Sequence, residues 1–135
     1  MSYESAMSYA ITKLGMELTL IPSQQPIVDA PLTIDTVGRD GSLVLVVEGE
    51  LDIATSSLLD EALVRARGTN AASIVVDLRA VSFIDSSGLH VLIRHTRQED
   101  GRARVRLTRG SPQTQRLFEL SGAMHHLPFV SGTAE

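Results

Sequence analysis

The segment Asp85-Ser86-Ser87-Gly88-Leu89-His90 gathers a carboxylate, two hydroxyls and an imidazole into six consecutive residues. Three kinds of chemistry suit such a set. A serine can cap a helix by accepting a hydrogen bond from a free backbone N–H. It can receive a phosphoryl group, which adds about −1.5 to −2 charges at neutral pH. It can also act as a nucleophile if a histidine takes its proton. This third option fits the spacing worst. His90 follows Ser87 by three residues on one helical turn, which is not the geometry of a triad, and Ile84-Asp85-Ser86-Ser87-Gly88 lacks the first glycine of a Gly-x-Ser-x-Gly elbow.

A strand followed by a helix must position these groups. Ile74-Val75-Val76-Asp77-Leu78 is short, apolar and β-branched, the pattern of a strand buried on both faces. Leu89, Leu92, Ile93 and Thr96 recur at helical spacing, and Gly101 is the expected end of that helix. Phe83 to Gly88 is then the loop and first turn. A helix N-terminus carries free N–H groups and a partial positive charge, so it favours an anion. Ser86 is placed to cap the helix, which would leave Ser87 turned outward one position later.

The same alternation runs through the rest of the chain. Leu32 to Val37 alternates, Gly38-Arg39-Asp40-Gly41 suggests a hairpin turn, and Leu43 to Val47 reads as a central strand. Gly49-Glu50-Leu51-Asp52 leads to Thr55 or Ser56, either a competent cap for a helix with Leu59, Ala62, Leu63 and Ala66 inward and Gly68 at its end. Arg104 to Arg109 fits a strand exposed on one side. Ser111-Pro112 opens a third helix, with Thr114, Leu117, Phe118 and Ser121 as its inner stripe and Gly122 as its stop. Leu127 to Val130 adds at most a short edge strand, since Pro128 cannot donate to a ladder. The order β-β-α-β-α-β-α predicts an α/β fold: a mixed, mostly parallel sheet of four to five strands with about three helices. The loops at Asp52 and Ser87 then leave neighbouring strands at the edge where such folds place their sites. Residues 1–30, with Pro22 and Pro26, read as a flexible N-terminal extension, 31–131 as the domain and 132–135 as a C-terminal tail.

Composition removes several function classes. A net charge of −4 argues against a nucleic-acid binder, because that affinity comes from neutralising phosphates. The cluster Arg94, Arg97, Arg102, Arg104, Arg106 and Arg109 reads instead as a solvated helix face and the outer face of a guarded strand. The chain has no cysteine, hence no disulfide and no thiolate chemistry. No apolar run has the length of a membrane span, no secretory leader is evident, and a cytoplasmic location is expected. Adjacent His125 and His126 without a third ligand do not make a metal site, and no glycine pattern supports nucleotide binding. No cofactor is expected.

Four segments carry a resemblance. Leu-Val-Val-Glu-Gly-Glu-Leu-Asp (45–52), Ile-Val-Val-Asp-Leu (74–78), Phe-Ile-Asp-Ser-Ser-Gly-Leu (83–89) and Arg-Leu-Phe-Glu-Leu-Ser-Gly (116–122) resemble the STAS domain, and more narrowly the bacterial anti-sigma factor antagonists. The likeness spans roughly residues 32 to 130 and leaves the N-terminal extension outside. It implies a STAS-like fold and a regulatory cycle. The unmodified antagonist binds an anti-sigma factor, often itself a serine kinase, and so frees a sigma factor. Phosphorylation of the serine before glycine in Asp-Ser-Ser-Gly ends that binding, and a serine phosphatase restores it. Matched residue by residue, the acceptor is Ser87, Asp85 is the motif aspartate and Asp52 is that of the preceding loop. His90 stands where family members often have glycine, so the cognate partner surface differs there.

The resemblance therefore points to a binding module without catalytic residues. Ser87 is its phosphorylation site, and Asp52, Ile53, Thr55, Ser56, Asp85, Ser86, Ser87, Gly88 and His90 are its candidate partner surface. Simpler roles remain for several of them. Asp52 and Asp85 can each order their own loop through nearby backbone N–H groups, and Asp77 reads as structural. Two other functions stay open: a STAS scaffold or accessory subunit, in stress signalling or beside a membrane transporter, and a small hydrolase using Ser87 and His90.

Overall fold

Leucine and β-branched residues alternating with polar ones lay down the sheet first. The structure, a computed structural model, describes residues 31–130. The expected extension (1–30) and tail (132–135) lie outside the described residues. Strands β1 (Leu32–Arg39) and β2 (Ser42–Leu51) pair antiparallel. Asp40 and Gly41 close this hairpin at φ 46° and 82°, the left-handed pair that a two-residue turn needs. Helix α1 (Ser56–Arg67) crosses to β3 (Ser73–Ile84), which lies parallel to β2. Helix α2 (Ser86–His95) crosses to β4 (Val105–Leu107), parallel to β3, and α3 (Pro112–Ser121) follows. The strand order is β1-β2-β3-β4, a mixed and mostly parallel sheet with three helices.

The core forms on one face of that sheet. Leu45, Val47, Ile74, Val76, Leu78, Val105 and Leu107 are buried there. Over them lie Leu59, Leu63 and Ala66 of α1, Leu89 and Leu92 of α2, and Phe118 of α3. Each leucine removed from water contributes about 1.5–3 kcal/mol, which is what holds the helices to the strands.

Several local expectations are corrected. Val75 is only half buried, so β3 has one core face rather than two. β3 also runs on to Ile84, taking in residues expected to be loop. Helix α2 stops at His95, not near Gly101; at its end the Thr96 N–H (3.1 Å) and hydroxyl (2.7 Å) both donate to the Leu92 carbonyl. Asp100 and Gly101 instead form a left-handed turn, bridged by Glu99 and Arg102. The last strand reduces to a single parallel bridge between Leu107 and Phe129. Arg104 is not on an outer face. Its guanidinium donates to the carbonyls of Arg67, Thr69 and Ala71 (2.8–3.0 Å) and so caps the C-terminal end of α1.

Two features bring the site loops together. Leu51 and Ile84 are partners at the ends of β2 and β3. The Asp85 N–H then donates to the Leu51 carbonyl (3.1 Å), so both loops leave the sheet at one point.

Candidate functional site

The site is built outward from the cap of α2. Asp85 sits in extended conformation after β3, and its Oδ1 accepts from the N–H groups of Ser87 (2.8 Å) and Gly88 (3.3 Å). The capping residue is therefore Asp85 and not Ser86, because a carboxylate one position earlier already reaches the free N–H groups. Ser86 becomes the exposed first residue of the helix. Ser87 follows, half buried, and its hydroxyl forms no hydrogen bond within the described residues. His90 is exposed one turn on and forms no hydrogen bond to it. Among the described residues, no base is hydrogen-bonded to the serine.

Gly88 explains why the helix can begin here. A Cβ at this position would lie 2.7 Å from Leu51 Cγ, 2.9 Å from the Leu51 carbonyl oxygen and 3.0 Å from Ile84 Cγ1. Only a residue without a side chain lets the first turn of α2 press onto the ends of β2 and β3. That contact sets the height at which Ser87 stands above the sheet.

The neighbouring loop is ordered by its own carboxylate. Asp52 Oδ1 accepts from the N–H groups of Ala54 (3.0 Å) and Thr55 (3.1 Å). The Thr55 hydroxyl accepts from the Asp52 N–H (2.9 Å) and donates to the Glu50 carbonyl (2.7 Å). Although Thr55 holds the N-cap position of α1, its side chain closes this loop rather than capping the helix. Thr55 is 3% exposed, and Gly88 is also buried. Both shape the candidate partner surface from beneath rather than presenting a side chain on it. Asp52 and Ser56 remain half buried, and Ile53 projects at 80% exposure.

The loops and elements that lead to the serine also expose large apolar side chains, and the sequence reading passed over part of them. Leu58 of α1 (44% exposed) and Phe83 of β3 (50%) join Ile53 among the exposed large apolar residues. The signal lay in their periodicity: Leu58 falls outside the inward stripe of α1, and Phe83 alternates with the buried Ile84. The shifted carboxyl groups lie elsewhere. Hydrogen bonds from Arg94 and then His95 hold the Asp60 carboxyl below its usual range. The Arg79 guanidinium does the same for Asp77, gripping it at both oxygens (2.9 and 2.7 Å). Among the described residues no three His, Asp or Glu side chains gather to hold a metal ion, and no helix is long and apolar enough to cross a membrane.

Comparison with known proteins fits this geometry. The family model of the STAS domain matches residues 33–135. This chain belongs to the STAS domain family. Among its STAS relatives, the anti-sigma-B factor antagonist of Staphylococcus aureus is 31% identical over 103 residues, 76% of this chain and 95% of that protein. The anti-sigma-F factor antagonist RsfB of Mycobacterium tuberculosis is 36% identical over 61 residues, 45% of this chain and 50% of that protein, so the match spans half the length of that relative. A solved structure of an anti-sigma factor antagonist from Mycobacterium paratuberculosis superposes with a TM-score of 0.66 at 27% identity, covering 75% of this chain and 86% of that one.

Proposed function

We propose that this STAS domain is an anti-sigma factor antagonist, switched by a phosphate on Ser87. In the unmodified state it binds an anti-sigma factor of the serine-kinase type in the cytoplasm and so controls sigma-factor availability. Phosphorylation of Ser87 releases the partner, and a serine phosphatase restores the binding form. The chain acts by binding and performs no reaction of its own.

The observation that carries this reading is the state of the Ser87 hydroxyl. It stands at a helix N-terminus with no hydrogen-bond partner among the described residues, while Asp85 already serves the backbone there. The hydroxyl is thus spare: esterifying it removes no internal contact. Ile53, on the Asp52 loop, and Leu58 and Phe83, on the adjoining elements, also leave apolar surface exposed. Such a surface suits a partner only while it is uncharged. Placing a phosphate inside that interface adds about −1.5 to −2 charges next to Asp85. A charge left buried and unpaired costs several kcal/mol, and every 1.4 kcal/mol is about tenfold in affinity. A loss of more than about a hundredfold follows without any rearrangement of the fold.

The test is phosphosite mapping of the full chain after incubation with each candidate anti-sigma kinase of its source organism, together with pull-down of the modified and unmodified forms. Modification at Ser87 and loss of capture are expected. If Ser87→Asp is captured as strongly as wild type, the charge switch is wrong.

A further inference from the structure

Ser82, Phe83 and Ile84, the last residues of β3, line an open groove of about 280 Å³ together with Gln113, Thr114 and Arg116 of α3. Its strand side is the three residues immediately before Asp85, on the strand that delivers Ser87. Its character is mixed. Phe83 shows half its surface, and Arg116 is exposed with no carboxylate partner among the described residues. Leu120 is 74% exposed, and Gln113, Arg116 and Leu120 recur at three and then four residues, on one stripe of α3. A cation thus lies between two exposed apolar side chains on a chain whose net charge is −4.

We propose that this groove is a second docking element, and that it receives an acidic segment of the anti-sigma partner. This rests on the function proposed above. A guanidinium binds a carboxylate through two parallel hydrogen bonds, which fixes orientation as well as affinity. Phe83 and Leu120 flank it with surface that would bury beside that ion pair, the arrangement in which a few anchors carry an interface. The groove adjoins the serine along the chain, since its lining residue Ile84 directly precedes Asp85, the cap of the helix that carries Ser87. Ser87 then supplies the switch, while the α3 stripe supplies selectivity among partners through its charge.

The experiment titrates unphosphorylated full chain against each serine-kinase-type anti-sigma factor of the same genome by calorimetry. For the one that binds, Arg116→Glu and Phe83→Ala should each weaken binding by about tenfold or more, as loss of a charge-assisted or apolar anchor does. Arg116→Lys should lose less than Arg116→Glu. Thermal melts of the Arg116 variants should be unchanged, because that side chain is exposed, whereas Phe83→Ala, half buried, should melt slightly lower. Unaltered affinity of Arg116→Glu, with Ser87→Asp still blocking binding, overturns the groove and leaves the serine switch standing. The converse result retains the groove and refutes the switch. Wild type that binds none of these factors overturns both. Self-association abolished by Arg116→Glu, with kinase affinity untouched, assigns the groove to a second copy and overturns the proposal.

Discussion

The two ends of helix α2 are built on opposite terms. At its C-terminal end His95 is 7% exposed and held on both ring nitrogens. Arg67 can only donate, so it approaches Nδ1 (3.4 Å) as the acceptor, and Nε2–H donates to Asp60 Oδ1 (2.7 Å). Arg94 donates to the same oxygen (2.9 Å), and Arg67 also pairs with Glu99. The side chains of Asp60, Arg67, Arg94, His95 and Glu99 are thus engaged with one another. At the N-terminal end one carboxylate oxygen satisfies two backbone N–H groups, and the serine hydroxyl is left unused. The comparison teaches where the fold puts its stability and where it leaves chemistry free. A helix fastened at its far end can carry a modification at its near end without unfolding.

Substitutions at the two ends should separate these roles. The largest effect is expected from Gly88→Ala, which forces a methyl into Leu51 and its carbonyl. A loss of about 3 kcal/mol in urea unfolding is expected for such overpacking against backbone. Stability within error of wild type would show that α2 does not depend on this approach.

Asp60→Ala should follow, with a loss of about 1–3 kcal/mol, since it leaves the His95 Nε2–H without its acceptor. This loss should depend on pH. The folded-state pKa of Asp60 is depressed, so its contribution is present above the ordinary carboxylate pKa near 4 and disappears as pH falls through the lower folded value. The gap between wild type and variant should therefore narrow below about pH 4. A gap that stays constant to pH 2 would mean that the ion pair contributes nothing.

At the near end, Asp85→Ala removes the cap and should cost about 1 kcal/mol by the same unfolding measurement. The smallest effect belongs to Ser87→Ala, expected within about 0.5 kcal/mol of wild type because its hydroxyl has no internal partner to lose. A destabilisation as large as that of Asp85→Ala would place the serine among the structural residues and blur the distinction between the two ends.

Much of the fold was legible in the chain. Helical and strand periodicities located three helices and four strands because burial on one side of an element imposes a spacing on its apolar residues. What failed was the element ends. The sequence placed Gly101 as the stop of α2, but the helix ends at His95, where the Thr96 hydroxyl folds back onto the Leu92 carbonyl. Ser86 stood ready as a cap, yet Asp85 was nearer to the free N–H groups in space. Arg104 looked like one member of a solvated basic run, and it is the clamp on the carbonyls of α1. These outcomes depend on competition between groups that can each make the same hydrogen bond, and spacing along the chain does not rank such competitors.

By itself the sequence determined the order of elements and the presence of Asp-Ser-Ser-Gly at the head of a helix, because period and residue type are local properties. The tertiary structure decided which oxygen caps that helix, why residue 88 carries no side chain, and that Thr55 faces inward while Phe83 and Leu58 face out. Those are matters of distance between residues remote in the chain. They are settled only when β2 and β3 lie side by side and the first turn of α2 closes on Leu51.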